Sequence, residues 1–184
     1  MSTRDQSAGI IDISLQPGEF HFAGDEARIR TVLGSCVSMV CWHPALRVGG
    51  MCHYMLPYRA ERRMGDLDGR YADEAMAMMF REMRQIGTRP EEYEVKVFGG
   101  ANMFPDHHRS DDNVGTRNVE AAWGIVEGHG LRCVAQHTAG IGHRSVIFDV
   151  GSGNVWVKHR PLLAIDGERR RHSAASGQAL ARAA

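Results

Sequence analysis

Cys36 and His53 are the two residues of this sequence whose types suit covalent catalysis. A thiolate is a strong nucleophile, and an imidazole can act as the general base that generates it. Both residues belong to one apolar segment, 31–57, with the sequence TVLGSCVSMVCWHPALRVGGMCHYMLP. They are distant along the chain, so catalysis requires a local fold that brings them together.

Two apolar runs, 36–42 and 47–55, are the elements that could position this pair. The residues between them, 43–46, include a proline, whose fixed φ suits a tight turn. Two strand-like runs joined by a short connection predict an antiparallel β-hairpin. If 43–46 form the loop, Cys36 lies directly opposite His53, with Cβ atoms roughly 4.5–5.5 Å apart.

At that separation the imidazole can lower the pKa of the thiol to about 3.5–7.5 and hold it as a thiolate. The prediction depends on the register of the hairpin. A slip of one residue would place Cys52 or Tyr54 opposite Cys36 and would break the pair. The alternative, from the residues alone, is a buried structural cysteine and an unrelated histidine.

The remaining cysteines of the segment do not favour a metal site. In the same register Cys41 lies opposite Val48 and is expected to be a small core residue, whereas Cys52 points away from the face that carries His53. Tetrahedral zinc needs ligands that converge, and the strand period places two candidates on each face. We therefore expect no metal, and we expect the cysteines to be free thiols because no secretory signal is evident.

The rest of the chain predicts a layered support for this hairpin. Alternating or apolar runs predict strands, and two segments with apolar residues at helical spacing predict helices. The predicted strands cover 11–15, 19–22, 27–33, 93–98, 131–137 and a hairpin of 144–150 with 154–158; the helices cover 71–86 and 119–126. We expect an α/β fold, a single layered domain with a mixed, largely antiparallel sheet in a β-sandwich-like core, flanked by two main helices.

Length and charge limit the possible functions. A chain of 184 residues suits one domain, and 22 basic against 22 acidic side chains give no net field toward nucleic acid or an anionic membrane. No apolar run approaches the roughly 20 residues of a membrane span, so we expect a cytoplasmic protein. The domain is expected over 10–166, between a disordered N-terminus at 1–9 and a disordered basic tail at 167–184. Residues 106–112 are expected to form a polar loop.

The segment LGSCVSMVCWHP is followed four residues later by GGMCHYMLP. These two motifs, in this order, resemble the CheD family of chemoreceptor glutamine deamidases. Further agreement comes from KVFGGANMF at 96–104, GTRN at 115–118, a Thr-x-Gly stretch at 138–140 and the run 144–158. The resemblance covers roughly residues 10–160. It implies helices packed around a β-sandwich-like core.

The resemblance also implies a reaction. Cys36 would be the nucleophile and His53 its base, converting particular glutamines in the cytoplasmic helical region of chemoreceptors to glutamate, with hydrolysis of glutamyl methyl esters as an additional activity. No cofactor is implied. The family has a third catalytic member, a threonine ahead of the cysteine, which Thr31 matches except that it is one residue nearer to the cysteine than in the family pattern. On an extended strand this shift changes the face, so a plain strand residue is the alternative for Thr31.

A bend before the nucleophile completes the expected site. The bend at Gly34 and Ser35 could free the backbone N–H groups around Ser35 and Cys36 to bind the oxyanion that develops on the substrate; an ordinary turn glycine is the alternative. Two other functions compete with deamidation. One is a noncatalytic adaptor that binds chemoreceptors or a CheC-type phosphatase, and the other is a cysteine amidase or esterase with small substrates.

Overall fold

The computed structural model describes residues 9–60, 65–103 and 113–161. The predicted loop 106–112, the predicted tail 167–184 and residues 1–8 of the predicted disordered N-terminus lie outside these ranges.

The strands form two sheets, each mixed and largely antiparallel. One has four strands in the order β1-β3-β8-β9, and the other has five in the order β2-β5-β4-β6-β7. The pairs β1–β3 and β6–β7 are parallel, and the other pairs are antiparallel. The strands are β1 Ile11–Ser14, β2 Phe20–Ala23, β3 Ala27–Leu33, β4 Val37–His43, β5 Val48–Cys52, β6 Glu94–Gly99, β7 Arg132–Thr138, β8 His143–Asp149 and β9 Val155–Arg160.

The two main helices, α1 Ala72–Gln85 and α2 Val114–Gly128, cover one face of the five-stranded sheet. Alternation along the central strands divides the apolar side chains between two cores. Met39 and Val97 pack toward the helices, whereas Val40 and Phe98 pack between the two sheets. The predicted α/β class with a β-sandwich-like core is therefore confirmed as three layers. No helix in the described part of the chain is long and apolar enough to cross a membrane.

The hairpin of β4 and β5 forms, but its predicted register is wrong by two residues. His43 pairs with Val48 and Val40 with Met51, so the loop is 44–47 rather than 43–46. Arg47 closes the loop with a φ of 53°, and its side chain donates to the carbonyl of Gly151 at 2.7 Å. The local sequence does not reveal this long-range contact.

Helix α2 begins earlier than predicted, at Val114 instead of residue 119. Asn113 caps it, with a side-chain oxygen that accepts from the N–H of Gly115 at 2.8 Å. Gly115 is required by a close approach, because a Cβ there would lie 2.8 Å from the carbonyl carbon of Gly100. The poor helix propensity of Gly-Thr in the GTRN motif hid this first turn. Asn118 consequently lies inside the helix.

Candidate active site

Cys36 directly precedes β4 and His53 directly follows β5, so both lie at the same end of two adjacent inner strands of the five-stranded sheet. Beyond the regular ladder, Val37 and Tyr54 exchange two backbone hydrogen bonds of 3.1 and 3.0 Å, so the register continues past β5. Cys36 therefore lies opposite Met55, and His53 lies opposite Ser38. The observed register differs from the predicted one by two residues, and a shift of two leaves each side chain on the same face of the sheet. Cys36 and His53 therefore still point to the same side, toward the four-stranded sheet.

The two residues are diagonal neighbours rather than directly opposed. Such positions are roughly 7–8 Å apart, within reach of long or aromatic side chains. Nε2 of His53 is buried and has no hydrogen-bond partner among the described residues, so the free protein has no thiol–imidazole hydrogen bond. The imidazole is 2 % exposed, whereas Cys36 is only partly buried and can be reached from solvent.

Thr31 reaches His53 from the other sheet. Its Oγ1 lies 2.7 Å from Nδ1 of His53 and 2.9 Å from the carbonyl oxygen of Leu15. A carbonyl can only accept, so the single hydroxyl hydrogen goes to Leu15 and Oγ1 accepts from Nδ1–H. This assigns the tautomer of the ring: Nδ1 carries the proton, and Nε2 carries the lone pair.

The unusual spacing of Thr31 has a simple structural explanation. A threonine five residues before the cysteine and one six residues before it lie on opposite faces only if a single strand runs from Thr31 to Cys36. Instead, β3 ends at Leu33, and Gly34 and Ser35 bend the chain from one sheet into the other. Thr31 faces the layer between the sheets in the same row as Ile29 and Leu33, which brings it against His53.

Electrostatics favour a neutral pair in the free protein. Burial lowers the pKa of His53 to about 4, against the opposing effects of the Glu19 charge and the Leu15 carbonyl. Burial raises the pKa of the Cys36 thiol, and its own backbone N–H acts more weakly in the opposite direction. The expected thiolate is thus not the resting form. At neutral pH the imidazole of His53 and the thiol of Cys36 are therefore both uncharged in the free protein.

The bend at residues 34–36 is held by its carbonyl groups. The carbonyl of Gly34 accepts from the N–H of Ala101 at 2.9 Å, and that of Cys36 accepts from the N–H of Gly100 at 2.8 Å. Both donors belong to the loop after β6, in the motif KVFGGANMF. The predicted donors around Ser35 and Cys36 are therefore part of an anchored bend.

Two buried polar residues near the site were missed from sequence. Ser38 is fully buried opposite His53, and its hydroxyl has no hydrogen-bond partner within the described ranges. Asn118 is also fully buried and contacts the bend. The only available signals were the position of Ser38 on the face of Cys36 and the place of Asn118 in the GTRN motif.

Cys41 and Cys52 lie on the helix side, apart from Cys36 and His53. The predicted division of the four residues between two faces is confirmed, although Cys41 pairs with Gly50 instead of Val48. Burial raises the pKa of both thiols, that of Cys52 to about 11. No cluster of three or more potential metal ligands occurs in the part of the chain that the structure describes.

Fold and site together define a three-layered α/β protein with a buried imidazole beside a reachable thiol. The sequence profile of the CheD family, described as CheD chemotactic sensory transduction, matches residues 55–159. A probable chemoreceptor glutamine deamidase CheD of Pseudomonas savastanoi pv. phaseolicola is 50% identical over 88% of this chain and 92% of its own length. A relative of the same description from Leptospira interrogans, numbered CheD 1, is 34% identical over 81% of this chain and 93% of its own. The chain belongs to the CheD family.

Proposed function

We propose that this protein deamidates glutamine side chains of methyl-accepting chemoreceptors, with Cys36 as nucleophile and His53 as acid and base. The observation that carries the proposal is the hydrogen bond from His53 Nδ1–H to Thr31, which leaves Nε2 as a buried lone pair on the face of Cys36. The relatives from Pseudomonas savastanoi and Leptospira interrogans are described as probable chemoreceptor glutamine deamidases, which supports the same reaction.

In the first half of the reaction, Nε2 of His53 takes the thiol proton as the Cys36 sulfur attacks the carboxamide carbon. A C–S bond forms, and the carbonyl electron pair moves onto oxygen. When this oxyanion collapses, the C–N bond breaks, and the imidazolium gives its proton to the leaving nitrogen as ammonia departs. The product is a thioester on Cys36.

In the second half, His53 takes a proton from water as the water oxygen attacks the thioester carbon. The C–S bond breaks, the sulfur recovers a proton from the imidazolium, and glutamate is released. A glutamyl methyl ester would react by the same steps with methanol as the leaving group, which is why we include this second activity.

The surface beside Cys36 supports a protein substrate. Met55, Leu56 and Tyr58 follow His53 in the chain and are 37%, 36% and 56% exposed. Apolar side chains of this kind suit the apolar face of an amphipathic helix. We therefore assign the substrate to the helical region of the receptor and place the reaction in the cytoplasm, where that region lies.

A CheC-type phosphatase is the second partner that the family resemblance implies, and we propose that it binds without being a substrate. Co-elution of the two purified proteins tests this, and Cys36→Ala should still bind. Failure of the wild-type proteins to associate at micromolar concentration would contradict it.

The central experiment incubates the purified protein with receptor cytoplasmic fragments and follows, by mass spectrometry, the replacement of NH₂ by OH at individual glutamines. Cys36→Ala and His53→Ala should each abolish the conversion, whereas Cys133→Ala, a matched change of another partly exposed cysteine, should not. Conversion by the Cys36→Ala protein would exclude the mechanism. A pure adaptor would show no conversion even with the wild type.

A further inference from the structure

Asn118 of α2 ties together the two segments that flank the nucleophile. Its Nδ2 donates to the carbonyl of Ser35 at 3.0 Å and to that of Met55 at 2.8 Å. Because both partners are carbonyl groups, the orientation of the side-chain amide is fixed. Asn118 is fully buried, so these bonds are shielded from competition by water.

The hydrogen bond from Asn118 to the carbonyl of Ser35 determines the direction of the Cys36 N–H. The C=O of Ser35 and the N–H of Cys36 belong to one planar trans peptide, in which they point in opposite directions. Holding the Ser35 oxygen against α2 therefore directs the Cys36 N–H away from the helix, toward the side of its own sulfur. Cys36 packs toward the layer between the two sheets, on the face opposite α2, so its sulfur lies on the side to which the N–H is directed.

The neighbouring groups leave this N–H available. The carbonyls of Gly34, Ser35 and Cys36 are all satisfied, by Ala101, Asn118 and Gly100. The N–H of Val37 is used by Tyr54. The bend thus anchors its acceptors, and in the described part of the chain it leaves the N–H groups of Ser35 and Cys36 without a backbone acceptor.

We propose that Asn118 is a positioning residue that aims the Cys36 N–H at the oxyanion of the tetrahedral intermediate. The inference rests on the proposed thiol chemistry of Cys36 but not on the identity of the substrate. Asn118 touches no reacting atom; it acts through the peptide that links Ser35 to Cys36. A donor fixed in advance is worth more to catalysis than one that must be reoriented during the reaction.

Two reagents that modify Cys36 can distinguish the positioning of the Cys36 N–H by Asn118 from a purely structural role of Asn118. Acylation by p-nitrophenyl acetate passes through an oxyanion, whereas alkylation by iodoacetamide is a direct displacement without one. Mass spectrometry measures both rates at Cys36 alone. In Asn118→Leu, which is close in shape but cannot donate, acylation should fall roughly 100- to 1,000-fold, and alkylation should change by less than about threefold.

If Asn118→Leu does not fold, Asn118→Ala replaces it, because alanine adds no new branch to the core. Its ratio of acylation rate to alkylation rate should fall by the same factor. Tyr54→Phe is the matched control for lost stability, because it removes the 2.7 Å bond from the Tyr54 hydroxyl to the Asn118 carbonyl and leaves Ser35 held. Its ratio should equal that of the wild type. Unchanged acylation in the Asn118 variants, or an equal fall in both rates, would overturn the proposal. Receptor deamidation measured in parallel reports separately on the proposed function.

Discussion

At the scale of single residues, the hydroxyl of Thr31 has the most specific task, since it holds the imidazole in one tautomer. Thr31→Val keeps the shape of the side chain and removes the acceptor for Nδ1–H. We expect kcat for deamidation to fall at least tenfold, toward the roughly 10²–10⁴ that a general base contributes. Steady-state kinetics on receptor fragments measure this.

Thr31→Ser restores the hydroxyl and should recover most of that loss. A Thr31→Val protein with kcat within twofold of the wild type would contradict this role of Thr31.

The buried imidazole also makes folding stability depend on pH. The pKa of His53 is about 4 in the folded protein and near 6.5 in an unfolded chain, so between these values the unfolded state binds more protons. The free energy of unfolding should therefore fall as pH decreases from about 6.5 to 4, by on the order of 3 kcal/mol. Below pH 4 this contribution does not change further.

Urea denaturation of wild type and His53→Gln at a series of pH values isolates the effect, because the other titrating groups are common to both proteins. The difference between the two free energies should vary across this window and be flat above it. A difference that is constant from pH 7 to 4 would contradict the lowered pKa.

At the scale of elements, the bend before β4 depends on how closely β6 can approach it. Gly99 pairs with Val37 and has a φ of 109°, and a Cβ at this position would collide with the carbonyl oxygen of Cys36. Gly99→Ala should therefore displace the nucleophile, lowering deamidation at least tenfold and the free energy of unfolding by about 1–3 kcal/mol.

The control is Gly128→Ala near the end of α2, where a Cβ would meet no atom within 4 Å. Because alanine is the better helix former, this variant should be fully active and at least as stable as the wild type. Chemical denaturation and the deamidation assay, run on both variants, distinguish the two outcomes. Normal activity in Gly99→Ala would show that the bend tolerates displacement.

The sequence was sufficient for most elements because periodic patterns are local. The α1 stripe, the alternation in β6 and the division of the hairpin into two faces are all confirmed. The register was not accessible, because the observed loop places Arg47 at a φ of 53°, a conformation that its residue type does not signal. The role of Thr31 was obscured for another reason: its partner lies in the other sheet, and the spacing to Cys36 has no meaning once Gly34 and Ser35 turn the chain.

The sequence predicted correctly which side chains share a face, because this follows from the strand period. It did not predict their protonation, because burial determines the pKa values. Cys36 and His53 share a face as expected, but their charge state does not follow from adjacency. Loss of water around the ring outweighs the nearby Glu19 charge. The contribution of Asn118 could not be derived either, because a side chain in a helix reveals its backbone partners only once the helix is docked.

At the scale of the whole molecule, the five-stranded sheet belongs to both cores, since Met39 faces the helices and its neighbour Val40 faces the other sheet. Unfolding one core should expose a face of the sheet that the other core needs. We therefore expect a single cooperative transition.

Tryptophan fluorescence can test this with two reporters. Trp42 packs between the sheets and donates to the carbonyl of Val150 at 2.8 Å, whereas Trp123 packs against the helix-side core. One variant keeps Trp42 and the other keeps Trp123, and Trp156 is replaced by Phe in both. In each variant, the urea midpoint from fluorescence should equal the urea midpoint from circular dichroism. Midpoints that differ between fluorescence and circular dichroism within one variant would show that the layers unfold separately.

The hydroxyl and the ring that meet at 2.7 Å come from different sheets. A newly synthesised chain therefore contains the cysteine long before it contains an oriented proton acceptor, and the acceptor is completed only when the two halves of the sandwich dock. Because the two cores are expected to unfold together, heating should silence the enzyme at the same temperature at which its strands and helices melt.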